Sequence, residues 1–482
     1  MPRPAYNAIR NMDYTNKNIL VMGLGVHGGG LGVARYMARN GANVRVTDLR
    51  TADKMQPSID ALAAEGLHIE YTLGEHREDD FRWADVVVKN PAVPSESPLL
   101  QLARSLGKPI EMEISLFLKL CPAPVIGITG TKGKSTTSTW TWEILRQWRP
   151  DAVLAGNLRV SALEALPKIG PDTPVVLELS SFQLEGLEDP AISPHLAAVT
   201  NLSPDHMDRY QGMQDYGDAK KHIFRYQTPE RGDYAVLNAN DPIVSTWAAE
   251  APAGVAWFGS GSIPNPGVQF ANRALHLLRD GHPPTPLCEP GDISLPGEHN
   301  LANAACASML ALLAGAPLEA VRAGLRSFTG VADRMELLAT LDGVRFYNDT
   351  TSTTPASTIA ALNSLDGPIV LIAGGADKGL DFAALAPIVA QRTLAVALLE
   401  GTATPLMEQQ FRAAGANLLG RFNDFADAVR ASWQAAPAGG SVLLSPATAS
   451  FGMFTNEFHR GERFRSIVST LVENPPPRPP IS

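Results

Sequence analysis

The sequence predicts an α/β protein built of three domains. Short apolar runs ending in glycine or polar loops recur along the chain, and helical stretches alternate with them. That is the pattern of buried, mainly parallel strands joined by helices. Three groupings of this kind open at NILVMGLG, PVIGITG and VRFYNDTT. A chain of 482 residues has room for two to four domains at roughly 100 to 200 residues each.

The first domain is expected over residues 1–114. NILVMGLGVHGGGLGVARYMARNGANVRVTDLR reads as strand, glycine turn, helix and strand. The run from Ile19 to Met22 ends at Gly23, Gly41 stands where a helix C-cap is expected, and VRVTD follows as a strand. Gly23, Gly25 and Gly28 fit the fingerprint G-x-G-x-x-G, with Asp48 at the end of the next strand. Alone this pattern is weak. It argues for a Rossmann-like unit able to hold a phosphate-bearing ligand, not specifically NAD. ADVVVKNPAVP adds a strand that runs into a ligand-side loop.

The second domain, residues 115–330, is expected to be a P-loop ATPase-type α/β unit. VIGIT, VVLEL, HLAAVTNL and YAVLNAND read as its strands, and the stretch GVAWFGSGSIPNPGVQFANRALHLL as an antiparallel addition. The third, residues 331–482, repeats the open α/β pattern in VRFYNDTT, PIVLIAGG, AVALLEG and GSVLLSPAT, and is Rossmann-like. Its proline-rich end, from about residue 474, is expected to be disordered.

Composition removes several function classes. Net charge is −9 with no long basic run, which disfavours nucleic acid or a membrane surface as partner. No uncharged apolar stretch reaches about 18 residues, so no membrane span is expected. The start of the chain lacks the apolar segment of a secretion signal. Cys121, Cys288 and Cys306 are odd in number and widely spaced, which points to reduced thiols in a cytoplasmic protein rather than disulfides or structural zinc.

The most informative stretch is GITGTKGKSTT, residues 127 to 137. The common phosphate loop G-x-x-x-x-G-K-[ST] needs a glycine at position 128, where Ile128 stands. The chemistry of a phosphate loop is nonetheless present. Glycines let backbone N–H groups turn toward a phosphate at a helix N-terminus, Lys134 can reach terminal phosphates, and the Ser135 hydroxyl can ligate magnesium. A glycine turn serving only the fold would not need the Lys-Ser pair. VVLELSSFQLEG puts Glu178 near the end of an apolar strand, where a carboxylate either holds a metal beside a phosphate or caps a helix. NLSPDHMDRY puts His206 between Asp205 and Asp208 on the expected ligand edge; a lone histidine there is more often a surface residue.

TGTKGKST, ELSSFQL, NLSPDHMDRY followed by YGDAKKHI, GEHNLANA, FTGVADRME, NDTTSTTP and SPATAS occur in one order. Together they resemble the Mur ligase family, which builds the peptide stem of the bacterial cell wall, over residues 18 to 465. That family uses TGTxGK[ST], which accounts for the shifted loop spacing. The motifs are most similar to those of the family's glutamate-adding members.

The resemblance implies an ATP-dependent amide ligase that joins glutamate to UDP-N-acetylmuramoyl-L-alanine through an acyl phosphate. It implies that Gly130, Thr131, Lys132, Gly133, Lys134, Ser135 and Thr136 hold ATP, with Asn300 and Asn303 on the adenine side and Arg334 and Asp349 supplied by the third domain. Ser135 and Glu178 would ligate a first Mg2+ ion. His206 and Lys220, the latter as a carbamate, would ligate a second. Lys134, His206 and Lys220 are the catalytic set. Lys220 lies four residues after Tyr216, and that spacing favours it over Lys221; without the resemblance both lysines read as solvated surface. Gly25, Val26, His27, Asp48, Arg50 and Asn90 would face the uridine diphosphate. Asn157, Ser181 and Gln183 would border the acceptor. Thr353, Lys378, Ser450 and Phe451 would face glutamate. A monomer working in the cytoplasm is implied.

The sequence departs from that pattern in places. Lys132 stands where asparagine is common, Thr351 where many relatives carry lysine, and Glu457 where phenylalanine is common. The last two fall where glutamate should bind, so they bear on D- against L-glutamate and leave ATP chemistry untouched. Glu457 is expected to turn outward or to pair with a cation such as Arg460. The competing readings are an L-glutamate ligase, a folylpolyglutamate synthase-like ligase, and a non-catalytic nucleotide-binding regulator. The last has no need of Glu178, His206 and Lys220 together.

Overall fold

The structure, a computed structural model, describes residues 13–25, 29–157, 161–207, 209–295, 297–377 and 379–476. Val26, His27, Gly28, Asp208 and Lys378 lie outside these residues, as does the proline tail beyond Pro476. The chain forms two compact bodies, one ending at Phe328 and one beginning at Thr329.

The first body holds two sheets. One contains β1 (Asn18–Met22), β2 (Asn43–Asp48), β3 (Ile69–Leu73), β4 (Val86–Lys89) and β5 (Ile110–Glu111), all parallel, in the order β3-β2-β1-β4-β5. β1 is central, and Ile19–Met22 are buried because neighbours cover both of its edges and both faces. The chain leaves β1 toward β2 on one side and reaches β4 on the other. The crevice beyond Met22 is therefore the sheet's switch point, where open α/β sheets bind ligands.

The second sheet begins at β6 (Val125–Thr129) and continues through β7 (Val153–Gly156), β8 (Val175–Glu178), β9 (Leu196–Val199), β10 (Tyr234–Asn238), β11 (Gly254–Ser260), β12 (Gly267–Ala271), β13 (Ala274–Leu278) and β14 (Thr285–Cys288). The order is β14-β13-β12-β11-β10-β9-β6-β8-β7. β6 is buried at every position and parallel to both β8 and β9, which again makes its carboxyl end a switch point. The antiparallel expectation needs correction. β11 runs parallel to both β10 and β12, and antiparallel pairing begins only at β12–β13 and continues to β14. Six residues, GSIPNP, carry the chain from β11 into a parallel β12, whereas the tight Asn272–Arg273 turn, with both residues at positive φ, makes the β12–β13 hairpin.

The two sheets share one apolar core running from Ile19 and Val33 through Phe117 to Leu177 and Val199. The helix Glu113–Leu120 joins them, with Ile114–Leu118 buried. The expected division at residue 114 falls within this helix.

The second body is a six-stranded sheet of β15 (Glu336–Leu341), β16 (Val344–Asn348), β17 (Ile369–Ala373), β18 (Thr393–Leu399), β19 (Leu418–Phe422) and β20 (Ser441–Leu444), in the order β15-β16-β20-β17-β18-β19. Only the β15–β16 pair is antiparallel. β16 and β20 are neighbours, so the loops NDTTSTTP and SPATAS leave the same edge.

Candidate active site

The phosphate loop forms where buried β6 gives way to the helix Lys134–Arg146. Gly130 has φ 146°, and a Cβ there would stand 1.8 Å from the Thr200 hydroxyl at the end of neighbouring β9. Only glycine fits. The loop is then fastened to that strand end. Thr200 Oγ1 donates to the Lys132 carbonyl at 2.6 Å, the Asn201 side chain accepts from the Lys132 amide and donates to its carbonyl, and the Thr131 amide donates to the Asn201 carbonyl at 3.0 Å. Thr200 and Asn201 escaped the sequence reading, although the run VTNL lies directly beside the motif that carries His206.

Two lysines converge on this loop. Lys134 Nζ donates to the carbonyls of Gly130 and Thr131, each at 2.9 Å. Lys220 is 1% exposed and donates to the same Gly130 carbonyl at 3.0 Å from the helix Met213–Arg225. Its ammonium also lies 4.5 Å from the centre of the Tyr216 ring. Burial, reinforced by the charge of Lys134 and opposed by Asp205, pulls the Lys220 amine down to about 7. Lys221 instead faces Asp218 and Glu250 as an ordinary ion pair. The His206 ring centre lies 6.2 Å from that of Tyr216, and His206 is half-exposed and 3.7 Å from Asp205.

Glu178 ends β8 opposite Ile128 of β6 and is 2% exposed. Asn157 Nδ2 donates to its Oε1 at 2.9 Å, while its buried Oε2 has no hydrogen-bond partner. An orphaned carboxylate oxygen is costly unless something cationic completes it. Ser135 is buried at the first turn of the loop helix, and Thr136 follows it. The donor types, a hydroxyl and a carboxylate beside a phosphate loop, suit Mg2+, which keeps waters and phosphate oxygens as its remaining ligands. Among the described residues no three acidic, histidine or cysteine side chains form a ready metal cage. Asn303 packs under the loop: a Cβ on Gly133 would be 2.5 Å from its Oδ1, Thr137 donates to that oxygen, and its amide faces Asn300.

A cavity of about 460 Å3 opens between the two sheets of this body. Gly23, Gly29, Gly30, Lys89, Asn90, Glu113, Asn157, Phe182, Gln183 and Arg209 are among its walls. The expected nucleotide-side residues sit around the β1 turn. Asp48 accepts from the Leu24 amide at 3.0 Å and from Arg50, which holds the turn. The Gly25 carbonyl accepts from Ser58. A Cβ on Gly23 would lie 2.8 Å from that of Asn90, so the β4 loop closes directly over the turn. Ser181 is buried at the start of a short helix whose cap is formed by Ser180 and Gln183.

In the second body, Asp349 is buried and accepts from Ser445 Oγ at 2.8 Å and from the Met335 amide; burial lifts its carboxyl to about 6. Arg334 is exposed, Thr353 is half-buried, Ser450 is buried and Phe451 is exposed. Glu457 does not turn outward: it is buried at the start of the helix Glu457–Glu473. Arg460 is fully buried and donates to the hydroxyl and carbonyl of Thr350 at 2.9 and 2.8 Å.

Comparison with known proteins follows the same division. Residues 17–111 match the MurD-like N-terminal domain of Mur ligases, residues 128–311 the Mur ligase middle domain, and residues 333–448 the Mur ligase glutamate ligase domain. The chain is 50% identical over 472 residues to UDP-N-acetylmuramoylalanine–D-glutamate ligase of Roseiflexus sp. (strain RS-1), covering 96% of this chain and 100% of that one. It is 40% identical over 452 residues to the protein of the same name from Symbiobacterium thermophilum, covering 94% and 97%. Crystalline MurF from Acinetobacter baumannii has a similar fold, with TM-score 0.54 and 17% identity over 95% of this chain and 94% of that one. A phosphate loop of unusual spacing, an orphaned acidic oxygen beside it and three matched domains in order agree: the chain belongs to the Mur ligase family.

Proposed function

We propose that this protein is the ATP-dependent ligase that adds D-glutamate to UDP-N-acetylmuramoyl-L-alanine in peptidoglycan precursor synthesis. A carboxylate does not react with an amine at neutral pH, so it must first be activated. The L-alanyl carboxylate attacks the γ-phosphorus of ATP, ADP leaves, and an acyl phosphate forms. The amine of D-glutamate then adds to the acyl carbon, loses a proton, and the tetrahedral intermediate collapses with release of phosphate.

The loop Gly130–Thr136 and Lys134 hold the phosphates. To do so, Lys134 exchanges its bonds with the Gly130 and Thr131 carbonyls for the γ-phosphoryl oxygens, which gain charge during transfer. Asn300 and Asn303 serve the adenine side, and the family motifs assign Arg334 and Asp349 to ATP as well. Ser135 and Glu178 would hold Mg2+, which would neutralise charge on the triphosphate. A second ion falls to His206 and Lys220. A buried lysine whose amine is brought to about 7 has a neutral fraction able to take up CO2, and the resulting carbamate is an anionic ligand. Asn157 orients Glu178. The β1 turn with Asp48, Arg50 and Asn90 receives the uridine diphosphate, and the Thr353, Ser450 and Phe451 loops receive glutamate.

Among the described residues no helix is long and apolar enough to cross a membrane. The soluble nucleotide substrates fit a cytoplasmic enzyme, working as a monomer. The observation that carries the reading is the unpartnered, buried Glu178 oxygen on the strand beside the phosphate loop. The test is phosphate release from ATP with the acceptor and either D- or L-glutamate. Release that needs both the acceptor and D-glutamate is expected. Release without acceptor, or faster turnover with L-glutamate, overturns the assignment.

A further inference from the structure

The cavity between the two sheets contains a charge the reaction scheme does not use. Lys89 is the last residue of β4, 3% exposed, and lines the cavity. Its Nζ donates to the Val93 carbonyl at 3.0 Å and faces Ser95 Oγ at 3.4 Å, which ties the loop Asn90–Ser95 back onto the end of its own strand. Asn90, Pro91 and Ala92 of that loop are cavity wall.

The neighbouring charges are Arg104, Arg209, Glu185 and Asp189. Arg104 pairs with Asp189 at 3.1 Å, and Arg209 with Glu185 at 2.9 Å, where the Tyr210 hydroxyl also donates. Glu111 on β5 is taken by Lys119, Glu113 accepts from Ser161, and Glu96 is exposed. Among the described residues each arginine thus has its carboxylate, and Lys89 has none within 4.0 Å. Three cations face two paired anions, and the buried Glu113 carboxyl on the cavity wall is lifted by burial to about 7, in a site walled by a glycine turn. A buried ammonium without a counter-charge is costly, and an anion entering the cavity would repay that cost.

We propose that Lys89 is a binding and positioning residue of the acceptor cleft: its ammonium holds the Asn90–Ser95 wall in place and supplies the positive charge that the nucleotide diphosphate neutralises. This rests on the acceptor reading above. Burial, with Arg209 and Arg104 adding to it and Glu185 opposing, brings the Lys89 ammonium down to about 8 in the free protein. A bound anion favours the charged form and raises that value. Affinity is therefore independent of this group below about pH 8 and falls as pH rises from there toward the bound-state value.

The experiment is calorimetric titration of UDP-N-acetylmuramoyl-L-alanine into the wild type, Lys89→Met and Lys89→Arg between pH 7 and pH 9. Lys89→Met is expected to weaken binding on the order of tenfold to a hundredfold at pH 7, the range for a lost charged hydrogen bond, with the KM for ATP unchanged. Lys89→Arg is expected to keep most of the affinity and lose the alkaline decline, because arginine does not titrate there. Equal affinity of Lys89→Met and wild type at pH 7 overturns the proposal. So does an alkaline decline in Lys89→Arg as steep between pH 8 and pH 9 as in the wild type, since Glu113 on the same wall is already ionised there, which decides the matter even if Lys89→Met fails to fold. If the wild type itself does not bind this acceptor, the acceptor reading fails instead.

Discussion

Two glycine turns in the first body share one architecture. Each follows a buried strand flanked on both sides by parallel neighbours, each lies at a switch point, and each precedes a helix. Their chemistry differs. The β1 turn is organised by a carboxylate, Asp48, that accepts from its own Leu24 amide, and the nearest buried cation comes from another strand, Lys89. The β6 turn carries Lys134 within itself, draws Lys220 onto the same carbonyl, and sits beside an unpartnered carboxylate oxygen. A turn that only holds a ligand needs donors and one compensating charge. A turn where charge develops during bond making needs mobile cations and a place for a metal.

That contrast breaks most visibly at Lys134. Lys134→Ala is expected to lower phosphate release about 100- to 1,000-fold, the range for removing a transition-state donor, while circular dichroism and the melting temperature stay near wild type. Near-normal turnover in a folded variant removes the β6 turn from catalysis and makes the two turns equivalent.

Lys220→Ala should cost on the order of a hundredfold, as loss of a metal-site group does. A short carboxylic acid added in solution should recover part of the rate by standing in for the carbamate, and Lys221→Ala should remain close to wild type because that lysine pairs with Asp218 and Glu250 over the Trp247 ring and not with the phosphate loop. The pH profile sharpens the point. Only the neutral amine takes up CO2, and its folded-state value is about 7. Activity should therefore fall as pH drops below 7, with added bicarbonate offsetting part of the fall. A fully active Lys220→Ala, or an inactive Lys221→Ala, reverses the assignment.

The smaller effect belongs to the other turn. Asp48→Asn keeps one oxygen to accept from Leu24 but loses the charge that engages Arg50. The acceptor KM is expected to rise about tenfold, in line with one weakened charged hydrogen bond, while kcat and the KM for ATP hold. A fall in kcat with no change in acceptor KM would show that this turn also takes part in the chemistry.

These residues were unequally legible in the sequence. Lys134, Ser135 and Glu178 could be found because a phosphate loop and a strand-end carboxylate have local patterns. Lys220 needed the family motif, since a lysine pair on an amphipathic helix gives no sign of which one is buried. Thr200 and Asn201 were missed because they meet the loop across about 70 residues of sequence, through the β6–β9 pairing. Lys89 was missed for a related reason: lysine is rarely buried, and its burial follows from the second sheet closing over β4. Of the two fates expected for Glu457, burial at the helix start removes the outward one, because that helix start packs into the second body. The parallel β11–β12 pair was misread because two short strands joined by a six-residue glycine- and proline-containing link have the pattern of a hairpin.

The central claim is that the acceptor carboxylate is activated by phosphoryl transfer at the β6 turn. Acceptor labelled with 18O in its L-alanyl carboxylate tests this directly, with mass analysis of the phosphate released in the presence of ATP and D-glutamate. The account predicts one 18O atom in each phosphate released, because the attacking carboxylate oxygen leaves with the phosphoryl group. Phosphate free of label, with both 18O atoms retained by the unreacted acceptor while ATP is consumed, would contradict it.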